Sequence, residues 1–139
     1  MTQQQPETLS RHAALEMVAS AEKAFAYPFD VEGILDGFTD DVVIRFGDLP
    51  EISGKADAER FLRTRFARQK DYKLRKTLRA LDGNIVGNYW DGTWTDTQTG
   101  KEMQCIGTEF WTVRAGRIAL WEATINIWEV GAPPSIPLT

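Results

Sequence analysis

The sequence predicts an α+β domain, with helices first and a long antiparallel sheet after them. Three observations carry this. Apolar residues recur at helical spacing in the first half of the chain, whereas two-residue alternation dominates from Tyr72 to Trp128. Turn signals break that alternating stretch three times, at Asp82-Gly83, at Asp96-Thr97-Gln98-Thr99-Gly100 and at Arg114-Ala115-Gly116, so it reads as a four-stranded meander. All five tryptophans, Trp90, Trp94, Trp111, Trp121 and Trp128, lie inside it.

In chain order, Met1 to Gln5 is expected to fray. A helix starts near Pro6–Thr8, since proline suits a first turn. Its buried stripe is Leu9, Ala13, Met17, Ala21, Ala24 and Phe25, which leaves His12 off the stripe, and Pro28 ends it. Asp30 caps a short helix from Val31 to Phe38. Asp40-Asp41 turns the chain into a strand, Val42 to Phe46, broken by Gly47-Asp48-Leu49-Pro50. A third helix covers about Ala56 to Gln69, with Asp57 and Glu59 favoured by its dipole, Phe61, Leu62 and Phe66 inward and its arginines mostly outward. The first meander strand sets Tyr72, Leu74, Leu78 and Ala80 against Lys73, Arg75, Thr77 and Arg79. The next three strands are Asn84 to Thr95, Lys101 to Val113 and Arg117 to Glu129. The tail, residues 131–139, holds Pro133, Pro134 and Pro137 and reads as extended. No repeat or linker divides the chain, so residues 1–139 read as one domain. A twisted sheet of this length would curl around the helices as a cone with a cavity inside.

Composition narrows the function classes. The chain has 139 residues, 42% hydrophobic and 26% charged, the make-up of a single soluble domain. No apolar run nears the roughly 20 residues of a membrane helix. The polar N-terminus has no apolar signal core behind it, and the expected location is cytoplasmic. Cys105 is the only cysteine and His12 the only histidine, which excludes an intrachain disulfide and argues against a histidine metal site or a His-activated nucleophile. Residues 60–79 carry nine basic side chains and one acid, yet the chain as a whole has a net charge of −4. The surrounding negative charge would repel phosphates, so this stripe reads as a solvated face or a partner contact rather than a nucleic-acid footprint.

The order helix, short helix, strand, helix, meander resembles the nuclear transport factor 2-like superfamily, also called the SnoaL-like cone fold. Local matches are Phe38-Thr39-Asp40-Asp41, Gly54-Lys55-Ala56-Asp57-Ala58-Glu59-Arg60-Phe61 and Gly116-Arg117-Ile118. A tighter resemblance, to a bacterial family of that superfamily with no established reaction, rests on Phe66-Ala67-Arg68, Asp71-Tyr72-Lys73-Leu74, Gly83-Asn84, Trp94 and Glu122-Ala123-Thr124-Ile125-Asn126. The resemblance implies helices in the concavity of a strongly curved, mostly antiparallel sheet, a cone-shaped α+β barrel. It also implies a homodimer through the outer sheet face, and chemistry without metal or organic cofactor.

The known catalytic residues of the superfamily do not carry over. Phe46 stands where ketosteroid isomerase has its aspartate base. Ile44, Phe46, Trp90, Gly92 and Ala123 stand where limonene-epoxide hydrolase has its tyrosine, asparagine, arginine and two aspartates. Glu109 alone falls where the isomerase keeps a protonated acid that donates to the oxyanion.

By superfamily parity, Ile44, Phe46, Trp90, Gly92, Trp94, Cys105, Glu109, Trp111, Trp121, Ala123 and Ile125 face the cavity. That makes a small apolar or aromatic molecule the expected ligand and Glu109 the lone acid inside. Burial disfavours a charged carboxylate, and a carboxyl kept neutral can serve as general acid or hydrogen-bond donor. Alternatively, Glu109 pairs with Arg45 or another cation, or faces solvent. Asp48 shares strand parity with Phe46 and could reach the cavity mouth, or simply belong to a turn. Tyr27 could donate its hydroxyl inward, or only pack. Glu122, Thr124 and Asn126 take the outer face unless a bulge swaps them. Two functions follow: a cofactor-independent acid/base enzyme of isomerase, dehydratase, cyclase or hydrolase type, or a non-catalytic ligand-binding or dimerisation module.

Overall fold

A computed structural model of the protein describes residues 7–138. Ser10 opens the first helix: its hydroxyl accepts from the Ala13 N–H at 3.0 Å, which satisfies one of the free donors of the first turn. Helix α1 is Arg11–Phe25, a later start than the proline suggested, and the expectations for residues 1–6 lie outside the described residues. Ala14 and Val18 are its buried residues, while Ala13, Met17, Ala21, Ala24 and Phe25 are half-buried because they border a cavity. Asp30 caps α2, Val31–Asp36, by accepting from Gly33 N–H at 3.0 Å. Strand β1 is Phe38–Phe46, and a two-residue strand, β2, Ile52–Ser53, pairs back onto it. Helix α3 is Lys55–Phe66 and buries Ala58, Leu62 and Phe66. The meander is β3, Gln69–Asp82; β4, Ile85–Asp96; β5, Glu102–Arg114; and β6, Arg117–Glu129.

The strands form one six-stranded sheet in the order β2-β1-β6-β5-β4-β3, with β1 and β6 parallel and the other pairs antiparallel. The sheet stays open, with β2 and β3 as edges. Helix α1 packs along the β3 edge and satisfies part of its backbone. Leu9 N–H donates to Gly83 O and Tyr27 N–H to Tyr72 O, both at 3.0 Å, while the Glu22 carboxylate accepts from Lys76 N–H at 2.8 Å.

Two local features depart from the simple alternation. Asp82 faces Ile85, so the first hairpin loop is Gly83-Asn84, and only Gly83 has positive φ, at 60°. That is the geometry of a type II′ turn, which asks for glycine at its first centre alone. A register shift between Leu78 and Ala80 turns Ala80 outward, to an exposed position, and brings Leu81 in. Residues 131–138 form no helix or strand, and the Ser135 hydroxyl donates to Asn126 Oδ1 at 3.0 Å. Of the nine basic residues over 60–79, five face acids: Arg60 meets Asp57, Arg63 meets Glu32 and Glu59, Arg68 meets Asp96, Arg75 meets Asp91, and Lys76 meets Glu109.

Candidate functional site

Strand alternation places Glu109 of β5, Asn88 of β4 and Lys76 of β3 on the concave face, where Asn88 is the cross-strand partner of Glu109. Glu109 is 1% exposed and Lys76 9%. Glu109 is not isolated: its partner is a cation other than Arg45, for Lys76 Nζ donates to Glu109 Oε2. Asn88 Nδ2 donates to the same oxygen and Trp121 Nε1 to Oε1, each at 3.0 Å. Both carboxylate oxygens are thus occupied by charged or polar donors, the condition under which a buried charge is tolerated. Aromatic faces surround the ammonium. Nζ lies 4.7 Å from the ring centre of Trp90, 5.5 Å from Trp111 and 5.7 Å from Phe25. The price of this fit is visible at Asn88, whose Oδ1 is buried without a partner.

Lys76 and Glu109 border a cavity of about 390 Å³ between α1, α2 and the sheet. Met17, Ala21, Phe25, Ile34, Trp111 and Trp121 make much of its wall. A second cavity, about 880 Å³, opens between α3, the β1–β2 turn and the β4–β5 end of the meander. Aromatic rings stand between the two. Trp121 faces the smaller chamber and Phe61 the larger, with their centroids 6.2 Å apart, and Phe46 packs on both at 5.4 and 5.5 Å. Thus the cone holds two chambers separated by a packed partition.

The residues singled out from the sequence divide accordingly. Glu109, Trp111 and Trp121 border the smaller chamber and Trp94 the larger. Ile44, Phe46 and Trp90 are buried, Ile125 is half-buried, and none of the four borders either chamber, since they fill the space between strands and helices. Packing is tightest at Trp90, whose ring lies over Gly107 so closely that an added Cβ would sit 2.3 Å from it. Asp48 is exposed in the β1–β2 turn, and Tyr27 is 49% exposed, its ring packed edge-on to Phe29. Neither borders the chamber of Glu109, because α1 ends before Tyr27 and the chain turns away at Gly47. Glu122, Thr124 and Asn126 lie on the outer face, bonded to Arg45, Thr108 and Ser135.

Sequence reading missed Lys76, Asn88 and Arg65. Lys76 was readable, since counting by two from Tyr72 through Leu74 reaches it before Leu78. Arg65 falls three residues after Leu62, on the buried side of α3; it is half-buried with its guanidinium 4.8 Å above the Phe46 ring. Among the described residues no group of three or more His, Cys, Asp or Glu is placed to hold a metal ion, and no helix is long and apolar enough to cross a membrane.

A curved open sheet around three helices, hollow and aromatic inside, is the nuclear transport factor 2-like cone. The chain belongs to the SnoaL-like domain family, whose sequence pattern matches residues 17–121. Among solved structures it is similar to a candidate polyketide cyclase from Xanthomonas campestris pv. campestris, at 25% identity and a TM-score of 0.74 over 84% of this chain and 92% of that one. A candidate ketosteroid isomerase from Kribbella flavida superposes with a TM-score of 0.67 at 18% identity, covering 93% and 85% of the two chains. TerC, crystallised with polyporic acid, superposes with a TM-score of 0.70 at 20% identity, covering 82% and 92%. No curated protein sequence matches the chain.

Proposed function

We propose that this SnoaL-like domain binds a small, largely apolar or aromatic molecule in the chamber beside α1 and acts on it by acid/base chemistry without a cofactor. The observation that carries this reading is the buried Lys76–Glu109 pair at the wall of a small apolar chamber. An ammonium inside an aromatic box is a strong hydrogen-bond donor to any ligand oxygen that gains negative charge, and water is too scarce there to screen it. Glu109 holds that donor in place and takes the α-proton of the ligand on the free lone pair of Oε1, while the Lys76 ammonium keeps its proton and donates to the enolate oxygen. Tyr27 and Asp48 have no part in it, because they lie outside the chamber. TerC's polyporic acid and the name given to the Xanthomonas protein support a ring-bearing ligand by analogy only.

Enolisation of a ketone tests the reading with a simple substrate. Wild-type protein should speed exchange of the α-protons of 2-tetralone for deuterium, followed by NMR, and Lys76→Met should lose that rate by about a hundredfold. A rate unchanged by Lys76→Met, with the protein folded, removes the catalytic reading. The alternative, a non-catalytic binding or dimerisation module, is favoured by one observation: three donors already engage Glu109, which makes its carboxylate a weaker base. It predicts 2-tetralone binding without exchange.

The outer sheet face supports a homodimer. Phe110 is 54% exposed and Ile106 37%, on a face that also carries Tyr89, so a second copy of the chain would cover apolar surface that water now meets.

A further inference from the structure

The larger chamber carries a charge that no acid among the described residues answers. Eight ionisable side chains border it: Glu51, Asp57, Arg60, Arg65, Arg68, Asp96, Lys101 and Glu129. Seven are paired. Arg45 faces Glu51, Arg60 faces Asp57, Arg68 grips Asp96 with two hydrogen bonds at 2.8 and 2.9 Å, and Lys101 lies 3.4 Å from Glu129. Arg65 alone has no acid within ion-pair distance among the described residues, although it is half-buried and its guanidinium rests on Phe46. Burial pushes its pKa down, and the neighbouring Tyr72 hydroxyl and Cys105 thiol offset this only in part; neither carries a charge to match a guanidinium, which stays protonated in proteins. Buried charges are ordinarily paired, and a face of Phe is a weak substitute for a carboxylate.

A second group borders the same chamber unsatisfied. Gln69 opens β3, is 2% exposed, and neither its amide nitrogen nor its amide oxygen has a hydrogen-bond partner. Leaving both ends of an amide buried and unpaired is costly, and in native proteins such a group calls for an explanation. Around these two polar groups the wall is apolar: Leu49, Ile52, Phe61, Trp94, Met103 and Ile127.

We infer that this chamber is a second ligand site, distinct from the Lys76–Glu109 chamber, and that it takes a monoanionic apolar acid. The carboxylate of the ligand neutralises Arg65 through the two-pronged contact that a guanidinium makes with a planar anion. Gln69 donates its amide N–H to the ligand, and its amide oxygen accepts from a hydroxyl beside the carboxylate. The hydrocarbon body lies against Trp94, Phe61 and Met103. The chamber therefore selects aromatic or alicyclic hydroxy acids over neutral analogues of the same shape.

Calorimetric titration with 3-hydroxy-2-naphthoate, and with 3-hydroxymethyl-2-naphthol as its neutral counterpart, tests this. The acid should bind at least about tenfold more tightly than the alcohol. Arg65→Met should abolish that preference, Gln69→Leu should weaken the acid by a smaller factor, and Lys76→Met should leave its affinity unchanged. Should Arg65→Met fail to fold, Arg65→Lys serves instead: it keeps the charge but not the fork, and should lower the affinity of the acid by several-fold. Equal binding of acid and alcohol, no binding of the acid at millimolar concentration, or loss of binding in Lys76→Met with Arg65→Met unaffected would overturn the assignment. Because the acid and 2-tetralone report on different chambers, failure here leaves the enolisation test intact.

Discussion

Lys76 and Glu109 each place a full charge out of water, and each depends on the other. Removing one partner of such a pair leaves the other buried and uncompensated, which costs about 3–5 kcal/mol, whereas removing both can be nearly neutral. Glu109→Gln and Lys76→Met should each lower the unfolding free energy by about that much in urea denaturation. The double variant Lys76→Met/Glu109→Gln, which keeps an amide oxygen to accept from the neighbouring buried donors, should regain much of the loss. If each single replacement costs under about 1 kcal/mol, the pair is solvated like a surface salt bridge and the buried-donor account fails. Asn88 belongs to the same network, and its unpaired Oδ1 shows that the arrangement favours the acid over full satisfaction of its neighbour.

At the scale of the element, the β4–β5 loop hangs on Asp96. Two hydrogen bonds from the Arg68 guanidinium, and two more from the hydroxyl and N–H of Thr99, hold the Asp96 carboxyl well below the usual carboxylate range. The unfolded chain takes up this proton near pH 4, and the folded protein only at lower pH. The stabilisation is therefore complete above about pH 4 and is lost as pH falls from there toward the folded value. Asp96→Asn should be less stable than wild type at neutral pH, with a gap that narrows on acidification below about pH 4, read from urea midpoints across a pH series. A gap constant down to about pH 2 would mean that Asp96 acts through shape and not through charge.

Over the whole molecule, the sheet has a hollow side and an exposed apolar side. In the proposed homodimer, the outer face of Phe110, Ile106 and Tyr89 is the contact, and sedimentation at rising concentration should show a dimer that Phe110→Glu converts to monomer. A wild-type chain that stays monomeric at high micromolar concentration would assign that face to solvent. Such a dimer keeps both chambers open, since they lie on the concave side, between the sheet and its helices.

Much of this architecture was legible in the residues. Periodicity and turn chemistry are local, so the order of helices and strands could be read from spacing, and the resemblance to the cone fold then implied which parity, that of Glu109 and four of the indoles, faces inward. What could not be read was anything that depends on the count slipping or on contacts far along the chain. The bulge after Leu78 moves Ala80 out, and Gly83 rather than Asp82 begins the first turn, because backbone strain and pairing settle such offsets only when both strands are present. That Glu109 meets Lys76, 33 positions away, and that Arg65 meets no acid among the described residues, are decided by three-dimensional closure. The same holds for the partition of Phe46, Phe61 and Trp121 that splits one expected cavity into two. Sequence determined the order of the elements and the alternation within each unbulged strand, since both are properties of the local backbone. Only the tertiary structure decided which side chains touch and where space remains, since that depends on how rigid side chains from distant elements fill a common volume.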